Sequence, residues 1–385
     1  MPSDLFASFF LGGFECSSHR RRDGRRLDLL RSTGHDRYAA ADYAALHAHG
    51  IRAARDGLRW HLVETTPGRY DWSSALPMAK AARAAGVQVI WDLCHYGWPD
   101  DIDIWSGAFP DRFARFAGEA VRLLGEVAEA PLLVCPINEI SFWAWAGGEI
   151  GAFAPGATDR AGELKRQLAR AWIAAADAIK TALPATLFVS AEPAIHVDPG
   201  GRPDAAWHQA AEWKRLSQFE AIDLVTGRAS PELGGNEAWL DVVGINFYPH
   251  NQWYYEGSTI PMGHHSYRPF SELIGEWQDR YARPLFIAET GAEGSGRASW
   301  LHYVCGEVRQ AIAAGRRVEG LCIYPVVEYA GWDNDRHCET GLLSAPDEHG
   351  RRSVHKPLAR ELAAQAALFS GLRPSRARTL AARAA

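Results

Sequence analysis

The stretch LLVCPINEISFWAWAGGEIGAFAPG, residues 132–156, joins an apolar run to a polar pair and an aromatic segment. Its first six residues are short, apolar and uncharged, which predicts a buried β-strand. That strand ends in Asn138 and Glu139, and aromatic residues, glycines and Ala-Pro-Gly follow at once. A carboxylate at the end of a buried strand, in aromatic surroundings, indicates a functional position at the edge of a sheet.

The same succession of a short apolar segment, a turn and an Ala-rich helical segment occurs eight times along the chain. The predicted strands cover residues 6–14, 51–58, 87–93, 131–138, 186–193, 240–248, 284–290 and 320–327. The predicted helices lie near residues 39–49, 74–85, 110–129, 160–182, 205–224, 271–282, 299–314 and 356–369. Strands that alternate with helices predict a parallel sheet, and eight such units predict an α/β fold, a single (β/α)8 TIM barrel. We expect this barrel to span residues 1–370, with a flexible C-terminal tail at 371–385.

A doubly wound parallel sheet is the alternative fold. It would normally carry a glycine-rich phosphate-binding loop, GxGxxG, directly after its first strand. The segment GGFECSSH has Gly12 and Gly13 without that spacing. The barrel is therefore favoured, and a nucleotide cofactor is not expected.

Composition excludes several classes of function. The net charge is −5 and the pI is about 6.3, so nucleic-acid binding is not expected. The Arg-rich stretches at 19–26 and 373–378 are short, and no apolar run reaches the roughly 18 residues of a membrane helix. The six cysteines are scattered without a CxxC pair, which predicts buried, reduced thiols and a cytoplasmic location. A homo-oligomer remains open.

The reactive groups of a barrel enzyme come from the carboxyl ends of its strands. Side chains suited to chemistry or to ring stacking follow the predicted strands at Arg55, His95, Asn138, Glu139, Glu192, Asn246, Tyr248, Glu289, Tyr324 and Trp332. Two carboxyl groups that flank one bond are the apparatus of glycoside hydrolysis. The 15 tryptophans supply apolar faces that suit sugar rings, although most of them should pack helices.

Five motifs, in order along the chain, resemble those of glycoside hydrolase family 1, the β-glucosidase and β-galactosidase family of retaining barrel enzymes. They are RDGLRW (55–60), LCHYGWPD (93–100), CPINEISFWAWAGGEIGAFAPG (135–156), DVVGINFYPH (241–250) and LFIAETGAEG (285–294). Each motif alone is only moderately specific. Their order and spacing run through most of the chain, and this makes the resemblance strong.

The resemblance implies a role for each matching residue. Glu139 would be the general acid/base, Glu289 the nucleophile, and Asn138 would bind the sugar 2-hydroxyl. Arg55 and Tyr248 would hold Glu289 ionised and aimed. The further substrate-binding positions are His95, on a ring hydroxyl, and Asn246, as support for the pocket. Such a site predicts carboxyl groups about 5 to 5.5 Å apart and a covalent glycosyl-enzyme intermediate.

The chain departs from the family where the sugar is recognised. His19 falls where the family has a Gln that binds the 3- and 4-hydroxyls. Tyr324 replaces a Trp. Gly331 replaces a Glu that grips the 4- and 6-hydroxyls, and Trp332 and Asp333 follow as possible substitutes. We therefore expect a retaining β-glycosidase, with the identity of the sugar left open.

Several alternatives remain at this stage. Glu192 is the strongest competitor for the role of the acid, and Arg59 competes with Arg55 for the pocket. The enzyme could instead be a transglycosylase or another retaining barrel glycosidase of the same clan that acts on oligosaccharides. A non-catalytic carbohydrate-binding barrel is the alternative of another class. An aldolase or isomerase would need a lysine, a metal or a phosphate site at a strand end. No such lysine is present and the His and acid spacings fit no metal motif, so neither a metal nor a cofactor is expected.

Overall fold

The computed structural model, which describes residues 5–128, 130–332 and 334–371, shows a barrel of parallel strands surrounded by helices. The strands are β1 (Phe10–Gly13), β2 (Ala53–Gly57), β3 (Gln88–Cys94), β4 (Leu133–Ile137), β5 (Leu187–Phe188), β6 (Glu192–Pro193), β7 (His196–Asp198), β8 (Val243–Asn246), β9 (Gln252–Tyr254), β10 (Leu285–Thr290), β11 (Val318–Ile323), β12 (Tyr329–Ala330) and β13 (His337–Cys338). The main sheet has the order β5-β4-β3-β2-β1-β11-β10-β8-β6. The predicted α/β TIM barrel is confirmed.

The two ends of this strand order belong to one segment of chain, residues 187–193. Its first half, β5, pairs with β4, and its second half, β6, pairs with β8. Between them Val189 donates from its backbone N–H to the carbonyl of Val134 (2.9 Å) and bridges to Val242. The segment therefore closes the sheet, and the fifth barrel strand that the sequence predicted is present as two short pieces.

The helices are α1 (Leu29–Ser32), α2 (His35–Ala48), α3 (Trp60–Val63), α4 (Leu76–Ala84), α5 (Ala108–Val127), α6 (Ile140–Trp143), α7 (Ala161–Ala182), α8 (Ala205–Leu216), α9 (Glu220–Val225), α10 (Phe270–Tyr281), α11 (Gly296–Ala313) and α12 (Lys356–Ser370). A π-helical turn, Ala144–Glu149, follows α6 directly. The sequence predicted one helix over 205–224, where the structure has α8 and α9. None of the described helices is both long enough and apolar enough to cross a membrane.

Apolar periodicity explains how the long helices pack. In α5, Phe109, Phe113, Phe116, Ala120 and Leu124 are fully buried on one face, at the spacing of three to four residues that aligns side chains along a helix. Of the predicted tail 371–385, only Gly371 lies within the described residues.

Inside the barrel, alternate strand residues form an apolar layer. Leu11, Ala53, Ile90 and Phe286 pack there in one cluster. Side chains two positions apart on a strand share a face, so Arg55 follows Ala53 into the interior, one level nearer the carboxyl ends of the strands. The apolar layer therefore lies directly beneath a charged one.

Candidate active site

A cavity of about 1080 Å³ opens at the carboxyl ends of the barrel strands. Both predicted catalytic residues, Glu139 and Glu289, line it. The other predicted site residues that line it are His95, Tyr248, Tyr324 and Trp332. Arg55, Asn138 and Asn246 are fully buried beneath this lining. Side chains from six different strand ends thus meet at one place, as the sequence predicted.

Glu289, near the end of β10, is held by two hydrogen bonds. Arg55 donates from Nη1 to Oε1 (2.8 Å), and the Tyr248 hydroxyl donates to Oε2 (2.9 Å). The pairing of β10 with both of its neighbours shifts register just before this residue, an irregularity that re-aims a side chain. A guanidinium and a phenol both stabilise an ionised carboxylate, so Glu289 is a charged group of fixed orientation.

Arg55 lies at the centre of the buried charged layer. Its Nε donates to Asp92 Oδ1 (3.2 Å), and its Nη2 donates to both Asp92 Oδ2 and Asn138 Oδ1 (2.9 Å). A buried guanidinium is tolerated only when opposite charges and hydrogen bonds offset its desolvation. Asp92 and Glu289 supply those charges. Burial raises the pKa of Asp92, but Arg55 and His95 together outweigh it and lower the value.

Glu139 lies in a different environment. It follows β4 in the left-handed backbone region (φ 43°, ψ 60°), an uncommon conformation for a non-glycine residue. Asn246 Nδ2 donates to Oε1 (2.7 Å), and the Tyr96 hydroxyl donates to Oε2. Burial and the negative charge of Glu289 outweigh these two bonds and raise the pKa of Glu139 to about 8. The group therefore carries a proton at neutral pH.

Aromatic and apolar side chains form much of the upper wall. Phe142, Trp145, Ile195, Trp253 and Trp332 all line the cavity. Many of the other tryptophans pack the barrel instead; Trp60, Trp91, Trp143, Trp172 and Trp277 are fully buried. The expectation that only a few tryptophans face the pocket agrees with this arrangement.

His95 and Asn138 order one another. Because Asn138 Oδ1 accepts from Arg55, its Nδ2 faces His95 Nε2 (3.0 Å) and donates to it. The proton of the imidazole is then on Nδ1, which lies 3.1 Å from Asp92 Oδ2. The second Nδ2 hydrogen bond goes to the Tyr96 hydroxyl (3.0 Å). Asn138 thus uses its amide to position neighbours, and its predicted contact with a sugar hydroxyl stays a prediction.

His19 lies in the second layer of the site. Its ring contacts those of Phe153 (4.6 Å between centroids) and Trp332 (4.8 Å), and it is buried. Burial and nearby positive groups lower its pKa to about 3, so the ring is neutral. This places His19 behind the Trp332 wall, whereas the sequence predicted direct contact with substrate. Gly331 directly precedes Trp332, between β12 and β13. Asp333 is outside the described residues.

The two competing residues take structural positions. Glu192 accepts the Ser141 N–H on Oε2 (3.1 Å) in a fully buried site, and burial raises its pKa to about 7. Arg59 pairs with Asp28 and Asp36 at 3.0 Å each. Neither is among the described residues that line the cavity. The geometry thus favours Glu139 over Glu192 and Arg55 over Arg59.

Among the residues at the site that sequence reasoning missed, Glu15 and Tyr96 lie beside the predicted carboxyl and histidine groups. Glu15, just after β1, carries a further carboxyl group into the cavity. Tyr96 also lines it, in a left-handed conformation (φ 63°) that turns its hydroxyl to Glu139. The signal for Tyr96 was its position directly after His95. The signal for Glu15 was an acidic residue immediately beyond a buried strand, the same pattern that identified Glu139.

Among the described residues, Cys16, Asp92 and His95 place potential metal-ligand atoms within 4.8 Å of one another. Asp92 is already engaged through both oxygens by the Arg55 guanidinium. A cation at this position would be repelled by that charge, so these three residues fit a hydrogen-bonded support for His95 better than a metal centre.

Comparison with solved structures identifies the fold. The AHE enzyme from Alicyclobacillus herbarius has a TM-score of 0.75 at 19% identity, covering 94% of this chain and 98% of that one. A β-glucosidase from Thermotoga maritima in complex with deoxynojirimycin has a TM-score of 0.77 at 15% identity, covering 95% and 98%. Another structure, a family 1 β-glucosidase from the same organism, gives 0.72 at 15% identity, with 89% and 88% covered.

The chain therefore has the fold of the family 1 β-glucosidases. No protein-family model and no curated protein sequence matches the chain. At these identities the likeness concerns the fold, and the activity has to be argued from the site.

Proposed function

We propose that the protein is a retaining β-glycosidase that hydrolyses a β-linked glycoside by double displacement. The observation that carries the proposal is one cavity with two carboxyl groups in opposite environments. Glu289 is held charged by Arg55 and Tyr248, and Glu139 retains its proton up to about pH 8. A nucleophile and an acid with separated protonation states are what glycoside cleavage needs.

In the first step, Glu289 attacks the anomeric carbon while Glu139 protonates the departing glycosidic oxygen. The carbon–oxygen bond to the leaving group breaks, and a covalent ester forms on Glu289. The ester is neutral, so one cause of the raised pKa of Glu139 is removed. Glu139 is then ionised and takes a proton from the water that attacks the ester, which releases the sugar and restores both groups.

The walls of the cavity support a sugar as the substrate. Apolar faces at Phe142, Trp145 and Trp253 suit the C–H faces of a pyranose, and His95 and the carboxyl groups supply polar contacts. One of the similar Thermotoga maritima structures is a β-glucosidase in complex with deoxynojirimycin. By analogy with a β-glucosidase, we propose a single sugar unit in the deep part of the cavity, with the leaving group beside Glu139.

A mechanism-based label tests the proposal. A glycosyl fluoride with fluorine in place of the hydroxyl beside the anomeric carbon should inactivate the enzyme and leave one sugar mass on the peptide that contains Glu289. Mass spectrometry locates the label, and proton NMR of the first product should show the β-anomer. Inverted product, or a label on another residue, would contradict double displacement through Glu289. Glycosides that bind without turnover would indicate the carbohydrate-binding alternative.

A further inference from the structure

Glu15 adds to the cavity lining a carboxyl group that makes no ion pair with a lysine or arginine among the described residues. Glu15 follows β1 and is only 6% exposed. Its Oε1 accepts the Ser17 N–H (3.0 Å), and its nearest basic neighbour is His95, whose Nε2 lies 3.8 Å away. In the described part of the chain, no lysine or arginine lies within 4.0 Å of this carboxyl group.

His95 makes no hydrogen bond to Glu15, because their closest atoms are 3.8 Å apart. Its Nε2 accepts a hydrogen bond from Asn138 Nδ2, so the atom that faces Glu15 carries a lone pair. The imidazole proton lies on Nδ1, toward Asp92. Glu15 therefore faces a ring nitrogen whose hydrogen-bonding capacity is already taken by Asn138.

The charges around Glu15 also leave it uncompensated. Arg55, the cation of the buried layer, is already shared by Asp92 and Glu289. Burial raises the pKa of Glu15; His95 and the Ser17 hydrogen bond lower it, Glu289 raises it further, and the net upward shift means that the ionised form is disfavoured in the free protein. A ligand that brings a positive charge to this place would remove that penalty, whereas a neutral hydroxyl would not.

We propose that Glu15 binds a protonated amino group of the sugar, so that the substrate is a β-linked amino sugar. The proposal rests on the glycosidase function assigned above to the same cavity. Glu15 lies next to His95, on the β1 and β3 side, whereas Glu139 and the aromatic wall at Phe142 follow β4. The amine is therefore placed on a ring carbon away from the leaving oxygen, and carbons three and four are the positions to test.

The test compares matched substrates in matched variants. The substrates are the para-nitrophenyl β-glucoside, its analogues with an amine at ring carbon three or four, and the N-acetylated forms of those amines. The variants are Glu15→Gln and, as a control, Glu348→Gln, a carboxylate whose side chain is 85% exposed. The ratio of kcat/KM between variants on one substrate cancels the intrinsic reactivity of that substrate.

We expect Glu15→Gln to lower kcat/KM for an amino glycoside about ten- to a hundredfold more than for the glucoside, as for the loss of a charge-assisted contact. Glu348→Gln should change neither. In the wild-type protein, N-acetylation of the amine should lower kcat/KM by a similar factor. If Glu15→Gln fails to fold, this comparison tests the amino-sugar proposal in its place. If the role of Glu15 is only structural, Glu15→Gln should lower kcat/KM by the same factor for every substrate.

Two kinds of failure are distinguishable. If glycosides are cleaved and Glu289 is labelled, but amines bring no Glu15-dependent advantage, the amino-sugar proposal is overturned and the glycosidase assignment stands. If no glycoside is cleaved, the proposed function fails. Calorimetric binding of the para-nitrophenyl amino glycosides and of the glucoside to Glu289→Ala then decides the role of Glu15, since tighter binding of the amines supports it and equal binding refutes it.

Discussion

Two buried charge networks lie on opposite faces of β2, which contributes Arg55 to one and Asp56 to the other, and they differ in function. In the first, the His35 network, His35 Nδ1 lies 2.8 Å from Asp42 and Nε2 lies 3.0 Å from Asp56. The Tyr43 hydroxyl donates to Asp56 (2.5 Å), and Arg352 grips both oxygens of Asp42 (2.6 and 3.0 Å). Two cations face two carboxylates, and every charge is matched within the protein.

The second network centres on Arg55, with Asp92, Asn138 and Glu289. Here one guanidinium serves two carboxylates, and Glu289 is part of the cavity lining. Burial and shifted pKa values occur in both networks, so neither property by itself identifies an active site. The difference is that the Arg55 network borders the cavity, where a ligand can reach Glu289, and that its two carboxylates share a single guanidinium. The His35 network should therefore serve stability, and the Arg55 network catalysis.

The largest effect should follow Glu289→Ala. Loss of the nucleophile should lower kcat on aryl β-glycosides by about ten-thousandfold or more, because no ester can form. The thermal midpoint should change little, since Arg55 keeps its pairing with Asp92. Steady-state kinetics and thermal melting measure both. A variant that unfolds would place the Arg55 network in the same structural role as the His35 network.

Glu139→Gln should come next, with a loss that depends on the leaving group. For a glycoside with a poor leaving group, loss of the acid should cost about a hundred- to ten-thousandfold in kcat, and much less for dinitrophenyl glycosides that need no protonation. Azide, which needs no general base, should restore turnover and give the β-glycosyl azide. Equal losses on all substrates would assign the acid role elsewhere.

Arg352→Met tests the His35 network directly. It leaves Asp42 buried without its guanidinium, which should lower the free energy of unfolding by about 3 to 5 kcal/mol. Its neighbour Arg351 is 75% exposed, and Arg351→Met should cost less than about 0.5 kcal/mol. Denaturant titration gives both values. The kcat/KM of folded Arg352→Met should equal that of the wild type, and a selective loss of kcat/KM would join the two networks functionally.

The His35 network should also make stability depend on pH. Burial lowers the pKa of His35, but Asp56 and Asp42 outweigh it and raise the value to about 9, against 6.5 for an exposed histidine. The stabilisation is complete below pH 6.5 and is lost as pH rises through 9. It is on the order of 3 kcal/mol. His35→Gln should be less stable near neutral pH and should flatten this part of the pH dependence; an unchanged slope would show that His35 is neutral.

The smallest expected effect is on the pH dependence of the reaction, through Glu139. Because the pKa of Glu139 is raised to about 8, kcat/KM should fall about tenfold per pH unit above that value as the acid ionises. Glu139→Gln, measured on a dinitrophenyl glycoside, should lack this limb. If kcat/KM of the wild type begins to fall near the ordinary pKa of a glutamate, burial and Glu289 raise the pKa of Glu139 less than the geometry implies.

Much of the fold and part of the site could be predicted from the sequence. Helical periodicity located α5 and α7 within two residues, and short apolar runs located the barrel strands. The fifth strand, over 186–193, was predicted whole because its apolar pattern is continuous, yet its halves pair with different neighbours. Pairing partners are set by barrel closure, which no local pattern records.

The residues predicted to contact the sugar were harder to place from the sequence than Glu139 and Glu289. His19 was expected at the substrate and lies behind Trp332, because the path of the loop after β1 depends on packing against Phe153. Glu15 escaped notice for the same reason, since whether an acidic loop residue faces solvent or a cavity depends on the neighbours that cover it.

The sequence by itself determined the barrel and the positions of its two principal carboxyl groups, because strand and helix periodicity and the ends of strands are local properties. Only the tertiary structure decided what each carboxyl group does. Glu289 meets Arg55 across 234 positions of sequence, and Glu139 meets Asn246 across 107. Charge state depends on burial and on partners within a few ångströms, and chain closure alone brings such distant residues together.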